Sequence, residues 1–146
     1  MSKSTPPSHM RLIAPMLRVL LVDDDQVVVR ALRRALLTKR PDWLVTTQSG
    51  AAAALAILAR EPFEVVVSDY EMPEMNGVEL FRRIKRQFPA MLRVIVSGKA
   101  RDSAGIIPPG LLHGWLQKSN TADDLAKAIE ELLLRRDKSK RSRRAG

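Results

Sequence analysis

The sequence predicts an α/β protein: a single doubly wound five-stranded parallel sheet with helices on both faces. Three observations carry this. Short unbroken runs of Val, Ile and Leu recur along the chain, and longer amphipathic stretches separate them. Within the runs apolar residues are continuous rather than alternating, as strands covered on both faces require. A chain of 146 residues with 45% hydrophobic content is long enough for one core and short for two.

The elements follow in order. Residues 1–16 (MSKSTPPSHMRLIAPM) hold three prolines and no sustained period, so they read as a flexible leader. Strands are expected at Arg18–Val22, Leu44–Thr47, Val65–Ser68, Arg93–Val96 and Trp115–Gln117. Helices are expected at about Val27–Lys39, Gly50–Arg60 and Val78–Gln87, with a last one over Thr121–Arg135. Asp25 is a suitable cap for the first of these, and Thr121 for the last, where Asp123 and Asp124 suit the positive end of the helix dipole. The fourth helix, between the fourth and fifth strands, must be short or irregular. Pro108 and Pro109 fall in its middle, and an interior proline costs roughly 3 kcal/mol.

Composition narrows the function classes. Without cysteine there is neither a disulfide framework nor a thiolate metal site. The longest apolar run, Ala51 to Ala59, is far short of the ~20 residues of a membrane span. A cytoplasmic protein is therefore expected. The net charge of +9 resolves into tails: residues 17–134 carry 16 Lys+Arg against 15 Asp+Glu, and residues 135–146 carry 7 against 1. Such a basic run reads as a disordered tail, 136–146, with weak polyanion affinity at most.

In an open parallel sheet the ligand site lies beyond the carboxyl ends of the strands. There the sequence places Asp23, Asp24 and Asp25 after the first strand, Asp69 after the third, Ser97 after the fourth and Lys118 after the fifth. Clustered carboxylates attract a hard divalent cation, and the ion that accepts few protein ligands together with phosphate oxygens is Mg²⁺. Beside it an aspartate can attack phosphorus, while a hydroxyl and an ammonium hold the phosphoryl oxygens. Taken singly, Asp69 reads as a turn aspartate and Lys118 as a surface charge. Their joint occurrence at strand ends is what argues for a site. His9 and His113 have no partner at ligand spacing and read as exposed loop residues.

The segments VLLVDDD, VVVSDYEMPEMNGVEL, VIVSG and GWLQKS, in this order and spacing, resemble the receiver domain of bacterial two-component response regulators, of the chemotaxis-regulator kind, over about residues 17–135. The resemblance implies a flavodoxin-like strand order 2-1-3-4-5. It implies Asp69 as phospho-acceptor and Mg²⁺ held by Asp23, Asp24, Asp69 and the backbone carbonyl of Glu71. Ser97 would sense the phosphoryl group, Lys118 would be its counter-ion, and Trp115 would fall at the aromatic switch position. Implied partners are a sensor histidine kinase or histidine phosphotransfer protein and a downstream protein target.

Two positions depart from the family pattern. Ser119 follows Lys118 where proline is usual; a cis bond there would cost ~2.5–4 kcal/mol, so trans is expected. Trp115 is larger than the usual Tyr or Phe. Two other readings stay open: a receiver fragment of a longer regulator, and a nucleic-acid-binding regulator that uses the basic tail.

Overall fold

A computed structural model describes residues 16–118 and 122–145. Five strands, β1 (Arg18–Val22), β2 (Leu44–Gln48), β3 (Val65–Asp69), β4 (Leu92–Ser97) and β5 (Gly114–Gln117), form one sheet in the order β2-β1-β3-β4-β5. Every pairing is parallel. Among the described residues the four α-helices are α1 (Gln26–Lys39), α2 (Ala51–Leu58), α3 (Gly77–Gln87) and α4 (Ala122–Ala145).

Alternation along each strand divides the core in two. Leu20, Val22, Val66 and Ile95 meet α2 and α3 through Ala54, Ile57, Leu80, Phe81 and Ile84. Val19, Leu21, Val65, Val67 and Val94 meet α1 and α4 through Val29, Leu36, Leu125, Ala126 and Ile129. Both faces are covered, which explains the unbroken apolar runs. Asp25 caps α1, its carboxylate accepting from the N–H groups of Val27 and Val28. Asn76 caps α3 by accepting from Glu79 N–H at 2.9 Å. Thr121 and the Lys118–Ser119 bond lie outside the described residues, as do His9 and the leader through residue 15.

The connection from β4 to β5 holds only a 3₁₀ turn, Arg101–Ala104, in place of a helix. Gly105 and Gly110 adopt φ of 76° and 78°, left-handed conformations that end helical progress. Arg93 compensates for the missing helix. It is 2% exposed, and its guanidinium donates to the carbonyls of Leu111 at 2.8 Å and Met91 at 2.7 Å, with longer bonds to Gly110 and Pro89. Carbonyls of the irregular segment and of the loop before β4 are thus paired by one side chain.

His113 belongs to the same staple. Its Nδ1 accepts from the backbone N–H of Arg93 at 2.9 Å, a bond available only to the unprotonated nitrogen. The cost of desolvating a charged ring, then the charges of Arg93, Arg136 and Lys85, hold its pKa below the ordinary histidine value. A histidine depressed in the folded state favours folding fully above its unfolded pKa of about 6.5, and this contribution is lost as pH falls. Urea unfolding at about pH 7.5 and 5.5 should therefore show lower stability at the acidic value, and His113→Gln should flatten the difference. An equal loss in His113→Gln would assign the acid sensitivity to another group.

One expectation is corrected. The segment 136–146 reads as a disordered tail, whereas α4 runs without a break through Ala145. Arg and Lys are good helix formers, no Gly or Pro interrupts 122–145, and cations suit the negative end of the dipole. Arg40 at the end of α1 grips α4 through Glu130, with two N–O distances of 2.7 Å. Among the described residues no helix is long and apolar enough to cross a membrane.

Candidate functional site

Each strand delivers its last residue to one edge of the sheet. Asp23 follows β1 directly, and Asp69 and Ser97 are the final residues of β3 and β4. Asp69 pairs in register with Val96, and Ser97 with Gln117, one residue before Lys118. The parallel ladder therefore sets the Asp69 carboxylate, the Ser97 hydroxyl and the Lys118 ammonium side by side.

Carboxylate oxygens of Asp23, Asp24 and Asp69 lie within 4.8 Å of one another. Asp23 is buried, and its Oδ1 accepts from the Asp25 N–H at 2.9 Å, which orients it. Lys118 Nζ sits 3.3 Å from Asp23 Oδ2 and 3.4 Å from Asp69 Oδ2. Burial first, then the charge of Asp23, raises the Asp69 pKa above the ordinary carboxylate value, and Lys118 offsets this only in part. Burial would lower the Lys118 pKa, but Asp23 and Asp69 outweigh it and the net direction is upward. Three carboxylates facing one ammonium leave two negative charges uncompensated. That donor set, all oxygen and doubly negative, fits a hard divalent cation such as Mg²⁺.

Ser97 is 2% exposed. Its Oγ accepts from the Lys99 N–H at 3.1 Å and its carbonyl accepts from the Lys118 N–H at 2.7 Å. The hydroxyl proton is left to donate elsewhere. Trp115 is joined to this hydroxyl only indirectly: its indole Nε1 donates to the Lys99 carbonyl at 2.9 Å. Its ring lies 5.5 Å from that of Tyr70, tilted by 44°. Glu71 is exposed, and its side chain pairs with Lys99 Nζ at 2.9 Å.

Lys99 and Tyr70 were not singled out by sequence reasoning. Lys99 ties the Ser97 loop, the Glu71 loop and Trp115 together through its N–H, ammonium and carbonyl. The only sequence signal was its place two residues after Ser97. Gly77 has a role other than the one its residue type suggests. Its φ is not positive, but a Cβ there would lie 2.5 Å from the Asp69 carbonyl oxygen and 2.6 Å from Ile95 Cδ1. Gly77→Ala should thus push Asp69 and α3 apart and cost about 1–3 kcal/mol. Urea unfolding checks this; a change within about 0.5 kcal/mol would mean that the contact relaxes freely.

The family model for the response regulator receiver domain matches residues 19–130. The chain belongs to this family. It is 38% identical over 119 residues to the hydrogenase transcriptional regulatory protein HoxA of Cupriavidus necator, a match that covers 77% of this chain and 24% of that protein. To the transcriptional regulatory protein GlrR of Escherichia coli K12 it is 35% identical over 117 residues, covering 79% and 26%. The chain thus spans about a quarter of the length of these curated relatives. Among solved structures, a CheY-like receiver domain from Methanospirillum hungatei superposes with a TM-score of 0.77 at 25% identity, covering 85% of this chain and 98% of that one. The receiver fold and its 2-1-3-4-5 sheet are as the resemblance implies.

Proposed function

We propose that this receiver domain is a phosphorylation-controlled switch. In this reading Asp69 is phosphorylated in a Mg²⁺-dependent reaction by a sensor histidine kinase or histidine phosphotransfer protein in the cytoplasm, and the output is protein–protein interaction. The observation that supports it is the convergence of three carboxylates, one ammonium and one buried hydroxyl at the carboxyl edge of the sheet.

Asp23, Asp24 and Asp69, with the Glu71 carbonyl, would hold the cation, which supplies charge neutralisation toward the incoming phosphoryl group. The remaining chemistry belongs to the chain. An Asp69 carboxylate oxygen attacks phosphorus, the donor's P–N bond breaks, and its electron pair stays on the imidazole nitrogen. An acyl phosphate results. Lys118, which bridges Asp23 and Asp69, turns to a phosphoryl oxygen. Ser97 donates its hydroxyl proton to another, and because its Oγ still accepts from the Lys99 N–H, a shift of Ser97 toward the phosphoryl group draws Lys99 with it. Through the Lys99 carbonyl the shift reaches Trp115, at the usual place of the family's aromatic switch.

Incubation with Mg²⁺ and acetyl phosphate, read by intact mass, tests the proposal: one added phosphoryl group is expected, and no addition under any phosphodonor would overturn it. Lys118→Ala should leave Mg²⁺ binding intact or tighter while impairing the response to phosphate, because the ammonium repels the cation and attracts the phosphoryl group. If Lys118→Ala abolished Mg²⁺ binding as fully as Asp24→Ala, this division of roles would be wrong. The short span relative to HoxA and GlrR favours a second setting for the same chemistry, as the receiver portion of a longer regulator.

A further inference from the structure

At the opposite edge of the sheet, α4 closes a cleft of about 540 Å³ against the residues that enter β4 and β5. Arg135, Arg136, Ser139 and Lys140 line it on one side and His113 on the other, over a floor that includes Leu92 and Leu132. Among the described residues no carboxylate lines it. Arg136 Nη1 makes only a long bond of 3.4 Å to the Ala90 carbonyl, and Arg136 Nε is buried without a hydrogen-bond partner. The Nε is closed off from solvent, so it is the outer guanidinium nitrogens, held by no more than that long bond, that are left to meet an acceptor.

The donors are three cations, one hydroxyl and one imidazole. Because His113 Nδ1 accepts from Arg93, the neutral ring carries its proton on the other nitrogen and is a donor as well. This exceeds what one carboxylate, with a single charge and two oxygens, can use. A phosphate offers three strong acceptor oxygens and close to two negative charges, and it suits the guanidinium fork. The volume is larger than a phosphate and within the range of small-molecule sites. The apolar floor suits a sugar or base. Exposed Lys138 and Arg141 continue the positive surface along α4.

We propose that this cleft binds a phosphate group, carried by a free nucleotide or by a nucleic-acid backbone. The site is separate from the acidic edge and does not depend on phosphoryl transfer at Asp69.

The test uses the whole chain in EDTA, with the His113 imidazole followed by NMR across pH. ATP and a DNA duplex of about 20 base pairs are the two probes, each compared with NaCl at equal ionic strength. Bound phosphate should raise the His113 pKa by about half a unit or more, because it answers the cations that now depress it. Lys140→Ala and Arg136→Gln should each weaken binding about tenfold. Lys140 is exposed, so its variant keeps the fold, and both variants should be labelled on Asp69 as wild type is. A response to ATP alone assigns a free nucleotide. A response to the duplex, with log affinity falling at a slope of about −3 against log salt, assigns a nucleic-acid backbone. No shift beyond the NaCl control with either probe would overturn the proposal, and so would binding that neither variant weakens.

Discussion

Asp69→Asn is expected to abolish acquisition of a phosphoryl group from acetyl phosphate, and EDTA is expected to slow it by about a hundredfold or more in the wild-type chain. The first follows because an amide oxygen carries no charge with which to attack phosphorus. The second follows from the two negative charges left over when Lys118 faces Asp23, Asp24 and Asp69. An incoming phosphate meets that charge directly, and metal-ion stabilisation of several kcal/mol, at about 1.4 kcal/mol per tenfold, sets the scale. Intact mass over a time course reads both. Undiminished labelling in Asp69→Asn would move the acceptor elsewhere, and undiminished labelling in EDTA would remove the cation from the chemistry.

The same substitution should raise stability in EDTA at neutral pH. Burial and Asp23 hold the Asp69 pKa up, so its ionised form disfavours the folded state above the carboxylate range, and a neutral isostere relieves this. Saturating Mg²⁺ should shrink the advantage, since a ligand held by the native wild type stabilises it by mass action. A carboxylate disfavoured by its surroundings is the kind of stability cost that reactive sites carry.

The acidic edge was legible because parallel strands of buried residues carry their own punctuation. Where an apolar run ends on Asp, Ser or Lys, the sheet topology alone brings those ends together, so Asp23, Asp69, Ser97 and Lys118 could be assembled before any coordinates. Contacts that depend on side-chain reach were not legible. Lys99 joins Ser97, Glu71 and Trp115 through three different atoms, and no periodicity encodes that. What requires a glycine at Gly77 is the 2.5 Å approach of a hypothetical Cβ to the Asp69 carbonyl oxygen, a tertiary fact. The tail was misread because charge density argued for disorder, while an unbroken run of helix formers extended a helix already nucleated by packing.

Arg93 is the clearest case, and it carries the second large effect. Arg93 opens the expected fourth strand with a charge, yet it is almost wholly buried. Its guanidinium holds carbonyls of both the loop before β4 and the irregular segment before β5. Arg93→Met keeps much of the stem and leaves those carbonyls unpaired, so a loss of about 2–4 kcal/mol is expected in urea unfolding. The loss should be local in character. The Arg101–Gly105 region is exposed apart from a half-buried Ala104 and should exchange its amides quickly in both proteins. Leu111 is buried, and His113 donates its N–H to the Arg93 carbonyl at 2.8 Å; these amides should be slow in wild type and fast in Arg93→Met. Since the segment leads directly into β5, Trp115 and Lys118, the variant should also respond more weakly to a phosphoryl mimic with Mg²⁺. Unchanged exchange at 111–113, with stability within about 0.5 kcal/mol of wild type, would mean that the apolar contacts of Leu111 hold the segment without the arginine.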